Sequence, residues 1–143
     1  MTSIDIAPDG EAITIRGSGF EIALTRNGTR THARLADGGS DAAQTLHPTT
    51  VSQMVRRGRQ GVRQAELFDG PAPAGEIAVS QPRQRGRALR VAASIPGPAG
   101  QQRAHHAELT EAQAGALQNA IDHMAARCAA AETPRPGPGG PMT

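Results

Sequence analysis

The chain holds no lysine, no tryptophan and no tyrosine, a single cysteine, and two phenylalanines, Phe20 and Phe68. Each scarcity excludes something. Cys128 alone cannot close an intramolecular disulfide or form a thiolate pair for a metal. With so few rings, the core must be built from Ile, Val, Leu, Met and Ala. The bases of a nucleic acid would find no Tyr or Trp on which to stack. No apolar stretch approaches the ~20 residues a membrane-spanning helix needs. The first ten residues hold no run of signal-peptide length. No membrane partner is therefore expected, and the expected location is the cytoplasm.

All fifteen basic residues are arginine. GC-rich coding alone favours Arg, Ala, Gly and Pro. The physical consequence is independent of that origin: arginine grips phosphate and carboxylate in forked geometry and stacks on flat rings. The 143 residues suffice for one domain. We expect a single α+β domain over residues 1–131 and a Pro/Gly-rich tail over 132–143. Its segment TPRPGPGGPMT has too little apolar surface to order itself. A modest aliphatic core also favours association, so a homodimer is expected.

Hydrophobic alternation and turn signals predict an antiparallel sheet built from hairpins. In SIDIAPDGEAITIR the Asp9-Gly10 pair sets Ile6 opposite Ile13 and Ile4 opposite Ile15, all on one face. In FEIALTRNGTRTHARL a turn at Asn27-Gly28 sets Phe20 opposite Leu35, Ile22 opposite Ala33, Leu24 opposite Thr31 and Glu21 opposite Arg34. ADGGSDAAQTLHP reads as a loop. Thr50 and Gln53 form a capping-box pattern that starts a short middle helix over Val51–Arg57, with Val51, Met54 and Val55 inward and Gly58 as its stop. Short strands are expected in GVRQAELFDG, EIAVS, RALRVAASI and RAHHAEL, with GPAPAG as a linker. Leu89, Val91, Ala93 and Ile95 share a face. A long C-terminal helix begins at Thr110, whose cap Gln113 completes. It carries Ala114, Leu117, Ile121, Met124 and Cys128 as one stripe, to be packed on one face of the sheet.

Charge is unevenly spread. Residues 51–107 contain nine arginines against three acids, Glu66, Asp69 and Glu76, whereas the flanking segments are net acidic. Two clusters dominate: Arg56, Arg57, Arg59 and Arg63, then Arg83, Arg85, Arg87 and Arg90. A basic zone of this kind is the footprint of a polyanion binder.

Two resemblances bear on this zone. Ala42–Gly58, AAQTLHPTTVSQMVRRG, resembles the spacing of excisionase-like helix-turn-helix motifs, which implies a second helix from Thr50 entering the major groove. The turn is about two residues short for that motif and holds Pro48. Separately, strands followed by Leu109, Thr110, Gln113, Leu117 and Ile121 look similar to the single-stranded-DNA-binding coactivator and whirly-type folds. That resemblance implies a sheet backed by a helix in an oligomer.

The histidines do not form a metal pattern. His105 and His106 are adjacent and point to opposite faces of a strand, while His123 and Cys128 are poorly spaced on a helix. No nucleophile elbow, phosphate-binding loop or dinucleotide fingerprint occurs. No catalytic residue, metal or cofactor is assigned. The sequence points to a small non-enzymatic nucleic-acid-binding protein, DNA or RNA, in which the eight clustered arginines contact mainly phosphates. The alternative is an interaction or assembly module of the phage or plasmid accessory type, which turns the same arginines and its exposed sheet edges to an acidic protein surface. The two readings diverge on whether the clusters share one face or are neutralised by Glu66, Asp69 and Glu76.

Overall fold

The computed structural model describes residues 2–68, 75–97, 99 and 101–132. The GPAPAG linker, apart from its last glycine, and the Pro/Gly-rich tail beyond Glu132 lie outside them. The element order is β1 (Ser3–Ile6), β2 (Ala12–Gly17), β3 (Phe20–Asn27), β4 (Arg30–Ala36), β5 (Asp41–Leu46), α1 (Pro48–Arg59), β6 (Gln64–Phe68), β7 (Gly75–Ser80), β8 (Leu89–Pro96), β9 (Gln102–Leu109) and α2 (Glu111–Glu132). This is the expected α+β class with a middle and a long C-terminal helix. The strands, however, divide into two antiparallel meanders, one of five strands and one of four, rather than one sheet.

In the first hairpin Ile4 lies opposite Ile15 and Ile6 opposite Ile13, as the alternation requires. The Gly10 amide donates to the Ala7 carbonyl, so Pro8 and Asp9 form the centre of the turn and Gly10 follows at φ 73°. Proline's fixed φ suits that first central position. Ile13 and Ile15 are buried, but Ile6, on the edge strand, is 43% exposed.

The second hairpin turns at Gly28-Thr29 rather than Asn27-Gly28, with Asn27 opposite Arg30. Gly28 has φ 67° and occupies the first central position, where a type II′ turn needs glycine. The pairing moves by two residues: Ile22 faces Leu35 and Leu24 faces Ala33. An even shift keeps the same side chains inward. It breaks the expected Glu21–Arg34 pair: Ala23 faces Arg34, and Arg34 binds Asp41 at 2.9 Å instead.

The expected loop before the middle helix contains β5, which turns Ala42 and Leu46 inward. Helix α1 starts at Pro48, earlier than expected. Its cap is His47, whose Nδ1 accepts from the Thr49 amide at 3.2 Å, and Thr50 lies inside the helix. Proline is suited to a first turn because its missing N–H has no partner there. Val51, Met54 and Val55 are buried as expected. Gly58 is buried inside the helix, and the chain leaves it at Gln60, followed by Gly61 at φ 88°.

Leu89, Val91, Ala93 and Ile95 form one buried face of β8. The cap of α2 is reciprocal: the Thr110 amide donates to Gln113 Oε1 at 3.0 Å, and the Gln113 amide to Thr110 Oγ1 at 3.1 Å. The stripe Ala114, Leu117, Ile121, Met124 and Cys128 is buried throughout.

The fold contains the same unit twice: β2–β5 followed by α1, and β6–β9 followed by α2. The helices are exchanged. Helix α1 packs on β6, β7 and β8 of the second sheet, while α2 packs on β1, β2 and β4 of the first as well as on β9. The two helices also pack on each other, and both sheets contribute to one continuous core.

Candidate nucleic-acid interface

Because Val51, Met54, Val55 and Gly58 hold α1 to the core, Arg56, Arg57 and Arg59 are left on its exposed side at the C-terminal end. Cations there complement the helix dipole. The loop between β7 and β8, residues 81–88, stands beside this helix end. Together they form a groove of about 710 Å³ whose lining includes Arg59, Gln60, Gln84, Arg85, Arg87 and Glu111. Two smaller depressions share part of its lining. One, of about 330 Å³, runs back over Arg56, Gln118 and Asp122. The other, of about 440 Å³, runs on over Arg87, His106 and Gln113. Part of each cluster, Arg56 and Arg59 from the first and Arg85 and Arg87 from the second, is thus joined across one surface although they lie far apart in sequence.

The eight arginines differ in their surroundings. Arg56 pairs with Asp122 at 3.1 Å, Arg59 with Glu111 at 3.0 Å, and Arg63 with Glu76 at 3.9 Å. Arg57, Arg83, Arg85 and Arg87 are exposed and make no ion pair among the described residues. Arg90 is different: its side chain is 16% exposed and bound to Glu108 at 3.1 Å. Of the eight, only Arg59, Arg85 and Arg87 line the groove; Arg56 borders the smaller depression beside it, and Arg57, Arg63, Arg83 and Arg90 line neither. Of the acids singled out in the sequence, only Glu76 takes an arginine. Glu66 makes no ion pair among the described residues, and Asp69 lies outside them. The neutralising acids are mainly Asp122 and Glu111 on α2 and Glu108 on β9.

Glu108 is the residue that sequence reasoning missed. Its side chain is 3% exposed. It accepts the Arg83 amide at 3.0 Å and the Gln84 amide at 2.9 Å, besides Arg90 Nη1 at 3.1 Å. Burial alone would raise its pKa, but the two amides and Arg90 outweigh that and hold the carboxyl below its ordinary range. Asp122 plays a comparable part between the helices, accepting from Ser52 Oγ at 2.6 Å, Arg56 and Gln118.

A second buried carboxylate, Asp37, joins the sheets away from the groove. It lies in the β4–β5 turn and accepts from His105 Nε2 at 3.2 Å, Arg103 Nη1 at 3.4 Å and the Ser40 amide at 3.0 Å. His105 stacks on Phe20 with ring centroids 5.2 Å apart. His106 points the other way and is exposed, as the strand period requires.

The helix-turn-helix resemblance does not survive. Ala42 to Leu46 belong to β5, so a first helix is absent from that motif. The sheet-backed-by-helix pattern implied by the other resemblance occurs twice. Among the described residues no group of three His, Cys, Asp or Glu is placed to hold a metal, and no helix is long and apolar enough to cross a membrane. Neither a protein-family model nor a curated protein matches the sequence.

Proposed function

We propose that this chain is a small non-enzymatic nucleic-acid-binding protein that holds phosphates in the groove between the end of α1 and the β7–β8 loop. The observation that carries this reading is the convergence of Arg59 with Arg85 and Arg87 in one concavity, flanked by Gln60 and Gln84. Guanidinium groups supply the charge-assisted forked bonds that phosphate accepts. The glutamine amides add donors and acceptors without fixing a base sequence. Binding of this type is mainly electrostatic and weakly selective. The wall of the groove is a helix C-terminus, whereas base-reading helices present their N-terminal residues.

The test is a titration of labelled duplex DNA, single-stranded DNA and RNA at several salt concentrations. Replacing Arg85 and Arg87 with Ala should weaken all three without changing sequence preference. It should lower the slope of log affinity against log salt by roughly 0.9 for each lost duplex phosphate contact. A loss confined to one sequence would contradict phosphate-dominated binding.

A second reading is supported by a specific observation. Arg56, Arg59 and Arg90 are already hydrogen-bonded to the protein's own carboxylates, and Arg63 lies 3.9 Å from Glu76, so these arginines accept acidic side chains. An interaction module gripping an acidic partner would use the same groove. Absence of nucleic-acid binding by the wild type at low salt would leave that reading standing and remove the first.

A further inference from the structure

We infer that Glu108 is a positioning residue for the groove: its buried carboxylate latches the β7–β8 loop in the shape that brings Arg85 and Arg87 up to Arg59. The inference rests on the proposed anion-binding function of that groove, although the latch has its own readout.

From Gln81 to Arg87 the loop is loosely packed: Gln81, Arg83, Gln84, Arg85, Gly86 and Arg87 are exposed and only Pro82 is half-buried. Beyond them Ala88 packs against the core and donates its amide to the Leu109 carbonyl at 2.7 Å. Gly86 at φ 76° bends the loop's far end. Its near end is held by two consecutive amides, those of Arg83 and Gln84, which converge on the two oxygens of one carboxylate. Arg90, on the next strand and directly opposite Glu108, closes the remaining side. Successive amides aimed at one anion form a small backbone nest, and here the anion belongs to the protein. Arg85 and Arg87 lie just past the latched residues, so the nest sets where they can reach. A loop ordered in advance spares the ligand the entropy of ordering it.

Simple electrostatics and the latch predict opposite signs for Glu108→Gln. Glu108 is an acid close to a groove that attracts anions, so removing its charge should by itself tighten binding. If it latches the loop, the amide substitute offers one acceptor where two were used and turns a donor toward backbone N–H groups. Oligonucleotide affinity should then fall about ten-fold or more, despite the extra positive charge.

The experiment measures anisotropy of a labelled oligonucleotide, single-stranded and duplex, against wild type and Glu108→Gln. It also follows amide hydrogen exchange at Arg83 and Gln84 in the wild type. Slow exchange at these two exposed positions together with weaker binding by the variant is the expected result. Equal or tighter binding by a folded variant overturns the inference and leaves the proposed function intact. Exchange of the two amides at the rate of an open loop overturns it without recourse to any variant. If the variant does not fold, Gln84→Pro removes one latch donor from the exposed loop without touching the core, and Gln84→Ala, which loses the same groove side chain but keeps the amide, is its control; weaker binding by the proline than by the alanine variant is expected, and equal affinity of the two counts against the latch. Failure of the wild type to bind either oligonucleotide is instead a failure of the functional reading, and hydrogen exchange still decides the latch.

Discussion

Gly58 looks in sequence like a helix stop and proves to be a point of contact. A methyl group placed on it would come within 2.8 Å of Leu89 Cδ1 and of Val79 Cγ2. Alanine is worth about 1 kcal/mol over glycine in an exposed helix interior, but overpacking a filled core costs typically 1–3 kcal/mol. Gly58→Ala should therefore lower the melting temperature, and a thermal melt reads the sign directly. Asp37 yields a pH prediction. Burial pushes its pKa up, but His105, the amides of Gly39 and Ser40, and Arg103 together hold it below the ordinary carboxylate value. A depressed folded pKa means stability that is present above the unfolded value of about 3.9 and is lost as pH falls through the folded one. Melting temperature should fall on acidification below about pH 4, and Asp37→Asn should start lower at neutral pH and fall less steeply. Neither Asp37 nor Glu108 could be singled out from the chain alone. A carboxylate in a turn or at the end of a strand looks solvent-facing until the packing of another sheet or loop buries it.

At the scale of elements, legibility followed local determination. The cap and stripe of α2 were readable because Thr110, Gln113 and the apolar residues that follow all lie within one helix. The faces of the hairpins were readable because alternation is local too. The register of the second hairpin was not. Asn27-Gly28 and Gly28-Thr29 both satisfy a tight turn, and moving the turn by one residue shifts the pairing by two, which alternation cannot detect. Strand β5 was hidden because DAAQTL has no β-branched apolar residue, and its place comes from pairing with β4. The arginine clusters were legible from composition, whereas the groove that gathers Arg59, Arg85 and Arg87 depends on where β7 and β8 set their loop. Leu117 tests the stripe. It is fully buried and borders a void of about 20 Å³ shared with Ile15, Ile22, Val51 and Val79. Leu117→Ala should cost about 2–5 kcal/mol in chemical denaturation. An unchanged midpoint would mean that α2 is held by other contacts.

Over the whole molecule, the exchanged helices govern behaviour. Neither meander covers its inner face with its own helix alone: α1 covers the second sheet, and α2 reaches across to the first. Heat or denaturant should therefore melt the protein in one transition, with coincident curves from far-ultraviolet circular dichroism and from a probe placed on either sheet. Two resolved steps would show that the units are independent. The exchange also implies something about assembly from pieces. A chain cut between Gly61 and Gln64 would yield two fragments, each with a sheet lacking its cover and a helix lacking its seat. Apart, each would tend to aggregate through the apolar face it exposes. Mixed, they should rebuild the native arrangement as a non-covalent heterodimer, because the groove, the Asp122 network and the Asp37 contact to β9 all join one fragment to the other. The covalent link between the halves would then act only to raise the concentration at which they meet.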